Sequence, residues 1–168
     1  PKPCKLDDEN RGFGSQDHAK TEDEASEAIR MLGVMGAHEE LRKLGDQNKA
    51  PHGLLEAYAI SGDLAGLRKI AEGTDEKSLR VDAVRRIGII HSDAARAALR
   101  DIYTKNTDED MKKAALQGML ISQDDQGVLA LYRAAKSTDE KKQLLRTLSM
   151  MNSDAALEAI DATLEKKP

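Results

Sequence analysis

Apolar residues in this chain recur with a fixed arithmetic, and that arithmetic limits what it can fold into. In AIRMLGVMGAHEELRKL (28–44) the anchors are Ile29, Leu32, Leu41 and Leu44, and in LLEAYAISGDLAGLRKI (54–70) they are Leu55, Tyr58, Leu67 and Ile70. VRRIGIIHSDAARAAL (84–99) supplies Val84, Ile87 and Leu99, with Ala95 and Ala97 flanking the slot where other segments place Leu or Val. The last two segments supply Leu116, Met119, Val128 and Leu131, then Leu145, Leu148, Leu157 and Ile160. In every segment the fourth anchor lies twelve residues after the second. Anchors three apart share one helix face, but the nine-residue gap between the second and third contains a break.

The breaks read GAH, SGD, HSD, QDD and NSD. Asp63, Ser92, Asp124 and Ser153 fall at the same place in their segments, where a side-chain oxygen caps the free N–H groups of a second helix. Ala37 holds that place in the first segment, so its cap comes from Gly36 or His38 or is missing. Each segment therefore reads as helix, tight turn, helix. Thr74, Thr107 and Thr138, in three TDE triplets, precede the next first helix and read as its N-caps, with the acids complementing the helix dipole. TEDE at 21–24 has capping-box spacing, and Pro51 suits a first helical turn.

Successive second anchors Leu32, Tyr58, Ile87, Met119 and Leu148 are 26, 29, 32 and 29 residues apart. A two-helix unit of this size cannot bury its apolar face alone, so neighbours must stack. No stretch alternates β-branched and polar residues as a half-buried strand does, and the palette of Ala, Leu, Ile, Val and Met, with only 2% aromatic residues, is that of helices. The chain reads as all-α.

The pattern resembles the short HEAT repeats of the phycobilisome-lyase type, with consensus Val-Arg-x-x-Ala-x-x-x-Leu-Gly-x-x-Gly-Asp-x-x-Ala-x-x-x-Leu. LRVDAVRRIGIIHSDAARAAL (79–99) matches it best, and Leu32-Gly33 and Ser61-Gly62-Asp63 echo it. The resemblance implies a right-handed α-α superhelix, a solenoid of five helix pairs over 21–168, preceded by a flexible arm at 1–20 that includes RGFGSQDH (11–18). Two kinds of protein with this repeat carry chemistry. A di-iron centre of the deoxyhypusine hydroxylase kind needs several His-Glu pairs, whereas His38-Glu39 is the single one here and His18, His52 and His91 have no adjacent Glu. A bilin lyase needs an aromatic-walled pocket, and with Tyr58 and Tyr103 assigned to apolar faces only Tyr132 is left to meet a ligand. The expectation is no catalytic residue, no metal site and no cofactor.

Charge narrows the partners. A net charge of −4 disfavours nucleic acid, and no 18-residue apolar run is present for a membrane span. Cys4 is alone, so neither an internal disulfide nor a CxxC site is available. The chain opens on Pro1 rather than Met, which reads as a trimmed or excised segment and leaves the compartment open, cytoplasmic or exported. SQDDQG and NTDEDM lack the ligand register of a calcium loop and read as helix caps, while the Met pair of LSMMNS reads as core filling.

The functional lean lies on the second helices. Arg42, Lys43, Arg68, Lys69, Arg96, Arg100 and Arg133 flank the buried anchors there, joined by Tyr132. Second helices usually line the concave side of a HEAT stack, so these residues suggest a groove for an acidic protein or peptide, although Glu158 and Asp161 break the row in the fifth segment. The reading is a non-catalytic binding scaffold. A lyase-like or chaperone-like domain for a small ligand, and a purely structural spacer, stay open as alternatives.

Overall fold

The computed structural model describes residues 13–47 and 51–166. These form ten helices and no strand: α1 (Phe13–Met35), α2 (His38–Asp46), α3 (Pro51–Ser61), α4 (Leu64–Ala71), α5 (Lys77–Ile87), α6 (Asp93–Lys105), α7 (Glu109–Ile121), α8 (Asp125–Ala134), α9 (Thr138–Met151) and α10 (Asp154–Glu165). The all-α reading holds, and each of the five segments is a helix pair. No described helix is long and apolar enough to cross a membrane.

The turn inside each pair follows from a few backbone groups. Four of the five first helices are followed by a residue with positive φ: Gly36 at 68°, Gly62 at 70°, Gln123 at 55° and Asn152 at 47°. Glycine adopts this geometry freely, whereas Gln123 and Asn152 carry a cost of about 1 kcal/mol each. The next residue turns its N–H back to the carbonyl of the second anchor, Ala37 to Leu32 at 2.9 Å, Asp63 to Tyr58 at 2.8 Å and Asp124 to Met119 at 3.0 Å. From that place a side-chain oxygen caps the second helix, as expected: Asp63 accepts from the Gly66 N–H at 3.1 Å, Ser92 from Ala95 at 3.1 Å, Asp124 from Gly127 at 3.1 Å and Ser153 from Ala156 at 3.4 Å. Ala37 offers no such oxygen, and α2 begins without a side-chain cap.

The threonines expected to cap the first helices do not do so. Helix α7 is capped by Asp108, which accepts from Asp110 and Met111, because a carboxylate one residue beyond Thr107 is the stronger acceptor. Helix α9 starts one residue sooner, on Ser137, whose hydroxyl accepts from Glu140 and leaves Thr138 inside the helix. Helix α5 follows Glu76 with no side-chain cap, so Thr74 is not used. TEDE (21–24) is no start signal either, since α1 already runs from Phe13. Of the arm expected at 1–20, residues 1–12 lie outside the described residues and 13–20 belong to α1. Pro51 opens α3 as expected.

The first helices form a row in which α1 packs on α3, α3 on α5, α5 on α7 and α7 on α9. Each of α2, α4, α6 and α8 packs on the next first helix. Two junctions in the row are backbone to backbone. A Cβ on Gly33 would lie 2.8 Å from Ala57 Cα, and one on Gly88 would lie 2.4 Å from the Gly118 carbonyl oxygen. Both glycines directly follow a second anchor, so the close approach recurs at equivalent places. Tyr58 fills the space left by two more glycines: its ring lies where a Gly66 side chain would stand, and its hydroxyl where a Gly45 Cβ would. That hydroxyl donates to the Leu41 carbonyl at 3.2 Å, and burial raises its pKa.

Leu41, Leu55, Leu67, Val84, Ile87 and Leu99 are fully buried, as are Met119, Val128 and Leu148 further along. Leu32, Leu44, Ile70, Leu131 and Leu145 lie half-buried against them. Leu157 is the misplaced anchor, at 61% exposure. Helix α10 packs on α8 and α9 through Ala155, Ala156 and Ala159, a narrow stripe that leaves Leu157 facing out. The methionine pair divides, Met151 joining the core while Met150 is exposed.

Leu99→Ala should cost about 2–5 kcal/mol in urea denaturation, because the side chain is enclosed between α5, α6 and α7. Leu157→Ala should stay within about 0.5 kcal/mol. Equal losses at the two positions would contradict the packing described.

Candidate functional site

The eight residues expected to face a partner sit on α2, α4, α6 and α8, and the structure shows what holds all of them but Lys43. Arg42 Nε lies 3.8 Å from Asp63 Oδ2, which His38 Nδ1 also approaches at 3.6 Å. Lys69 pairs back to Asp46 of α2 at 2.9 Å. Arg68 reaches Glu72 on its own helix at 2.6 Å and Asp101 of α6 at 3.3 Å. Arg100 binds both oxygens of Asp124 at 2.7 Å, and Arg96 Nη2 donates to the Ser122 carbonyl at 2.8 Å. Arg133 pairs with Glu158 of α10, and the Tyr132 and Thr163 hydroxyls are hydrogen-bonded. Lys43 is exposed and has no ion-pair partner among the described residues.

These contacts have one direction in common. Each of the four junctions between successive second helices is bridged by a cation: Arg42 from α2 to the cap of α4, Arg68 from α4 to α6, Arg100 from α6 to the cap of α8, and Arg133 from α8 to α10. Arg100 shows how tightly a bridge is built. Asp124 is 3% exposed and uses Oδ1 both to cap α8 and to accept from Arg100. A Cβ on Gly127 would lie 2.1 Å from Asp124 Oδ2 and 2.4 Å from Arg100 Nε, so only glycine at that place admits the pair. The hydrogen bond that Arg100 donates to Asp124 raises the Arg100 pKa, and the one that Arg68 donates to Glu72 raises that of Arg68. Asp101 is held below the usual carboxylate range by the hydrogen bond from Lys105 first, and by Arg68 after it.

The row is therefore cationic by sequence and, at Arg42, Arg68, Lys69, Arg100 and Arg133, charge-matched in space. The acids that match it were not singled out from the sequence as partners, although Asp63 and Asp124 were legible as caps and Glu158 as a break in the row. Two grooves remain beside the bridges. One, of about 440 Å³, lies among α2, α3, α4 and the start of α5, with Leu54, Tyr58 and Leu79 as its floor and Arg42, Asp46 and Lys69 at its edge. The other, of about 370 Å³, lies between α8 and α10, where Leu129 and Ala159 meet Tyr132, Arg133 and Glu158. Four of the eight expected residues thus line grooves, while Arg68, Arg96 and Arg100 join the helices between them.

His38 and Glu39 open α2, and among the described residues no three His, Cys, Asp or Glu side chains gather as metal ligands. SQDDQG and NTDEDM supply the caps of α8 and α7. No protein-family model matches the chain, and comparison with curated proteins gives no match.

Asp101 supplies a test by pH. Its folded-state pKa lies below the unfolded-state value of about 3.9, so its pairs stabilise the fold above that pH and the contribution is lost as the pH falls through the lower folded value. The stability difference between wild type and Asp101→Asn should be present at neutral pH and close on acidification below about pH 4. A difference that persists in strong acid would show that Asp101 acts by something other than its charge.

Proposed function

We propose that the chain is a non-catalytic scaffold, a right-handed solenoid of HEAT-like helix pairs that holds a protein or peptide across its second helices. The observation that carries this reading is the pair of grooves, each with an apolar floor and an exposed cation–carboxylate pair at its edge, Lys69–Asp46 in one and Arg133–Glu158 in the other. Exposed ion pairs of this kind contribute about 0–1 kcal/mol to stability, so a carboxylate on a bound segment can replace the local acid at little cost. An aliphatic side chain beside that carboxylate finds the apolar floor. The bridged stretch between the grooves keeps their separation fixed, which favours a ligand that reaches both.

A benzophenone side chain placed at Ala65 in the first groove, and separately at Ala162 in the second, tests this by photocrosslinking in extract of the source cells. The same polypeptide should be captured from both positions, and Lys69→Glu with Arg133→Glu should abolish capture. Absence of a shared adduct, or capture indifferent to both reversals, would contradict the reading, and a bound small molecule in its place would favour a ligand-handling domain.

A further inference from the structure

One apolar feature lies outside the core. Two residues after each second anchor the chain carries Val34, Ile60, Ile89, Ile121 and Met150, one on each first helix or in the turn that ends it. All five are exposed, between 42% and 62%, while the residue directly before each in the first three units, Gly33, Ala59 and Gly88, is buried. Core packing does not require an aliphatic at this place, yet every unit has one. Because the first helices pack in order from α1 to α9, the five form a single line across the row.

Charge runs beside the line over its second half. Arg146 stands four residues before Met150 on the same face of α9, Arg85 stands on the last turn of α5 before the turn that carries Ile89, and Lys113 and Lys142 stand eight residues before Ile121 and Met150 on α7 and α9. Arg85 and Lys113 line one groove of about 470 Å³ between α5 and α7, where Asp110 is already engaged by Lys77 at 2.8 Å. None of Arg85, Lys113, Lys142 and Arg146 has an ion-pair partner among the described residues, in contrast to the bridged cations of the second helices. At the other end Arg30 is balanced by Glu56 at 3.5 Å, so the unmatched positive charge lies over α5 to α9.

We propose that this line is a second docking surface, for an extended acidic polypeptide segment with an aliphatic residue at every third position. Neighbouring helices stand about 8–10 Å apart, and one three-residue turn of a polyproline-II chain advances about 9 Å and returns the side chain to the same face, so successive aliphatics of the segment meet successive helices. Its carboxylates then answer the unmatched cations. A second copy presenting the same face would oppose like charges, and a line one residue wide gives a bilayer little apolar area to cover. The surface uses none of the residues that line the two second-helix grooves, so it stands or falls independently of the function proposed above.

The probe is a fluorescein-labelled peptide of about 15 residues repeating Ile-Glu-Ser, long enough at about 3.1 Å per residue to span the line. Fluorescence anisotropy with the full chain should show saturable binding, and none for a peptide repeating Ile-Lys-Ser. Ile89→Ser with Ile121→Ser, and separately Arg85→Glu with Arg146→Glu, should each weaken binding at least about tenfold. The same losses should appear in a Lys69→Ala, Arg133→Ala background, in which any share of the peptide taken by the second-helix grooves is removed. All these side chains are exposed, so melting temperatures should hold, and the charge pair carries the test should the isoleucine pair not fold. Absence of binding, or equal affinity in every variant, overturns the proposal. So does sedimentation as a dimer that the isoleucine variant disperses, which assigns the line to a second copy, or phosphatidylserine-vesicle binding lost in that variant, which assigns it to a membrane.

Discussion

The architecture depends on one position, five residues after the second anchor, where the chain stops one helix and starts another. In three of the five units, at Ala37, Asp63 and Asp124, the backbone N–H there satisfies the anchor's carbonyl, and in four of the five the side-chain oxygen satisfies an N–H of the next helix. At Asp63 and Asp124 one residue closes both ends, which would otherwise leave polar groups without partners, and so sets how the two helices of the pair diverge. With that fixed, the apolar anchors of both helices have to face the neighbouring pair. The glycine approaches at Gly33 and Gly88 then determine how near two pairs can come.

The caps also connect the pairs to one another. Asp63 and Asp124 each lie within reach of an arginine from the preceding second helix, so a residue that terminates a turn becomes an anchor point between units. Arg68 and Arg133 bridge where the cap is a serine, using acids further along the next helix. The consequence is a division of charge. Arg42, Arg68, Arg100 and Arg133 on the second helices join neighbouring units, while Arg85, Lys113, Lys142 and Arg146, unmatched among the described residues, lie on α5, α7 and α9. An acidic protein thereby keeps a positive surface in a place that its composition conceals.

Helix number, the turn positions and four caps were legible because they depend on local spacing. Asp63, Ser92, Asp124 and Ser153 could be aligned on the anchors without any tertiary information. The threonine caps failed locally too, since the reading indexed the TDE triplet and overlooked the better or earlier oxygens of Asp108 and Ser137 beside it. Leu157 failed for a different reason: periodicity says which face is apolar, but burial needs a neighbouring helix to cover it. The candidate site was legible as positions and not as contacts. Arg68 meets an acid 33 residues away and Arg100 one 24 residues away, and only the stacking of units brings them together.

The claim that second-helix cations join successive units is tested most directly by a double-mutant cycle on Arg100 and Asp124. Arg100→Ala, Asp124→Ala and the double variant are compared by denaturant unfolding, so that the lost cap of α8 appears in both Asp124 arms and cancels. A bidentate pair with one partner buried and the other half-exposed should show a coupling of about 1 kcal/mol or more. A coupling indistinguishable from zero would mean that the units stack through their apolar faces alone and that the cation row is incidental to the fold.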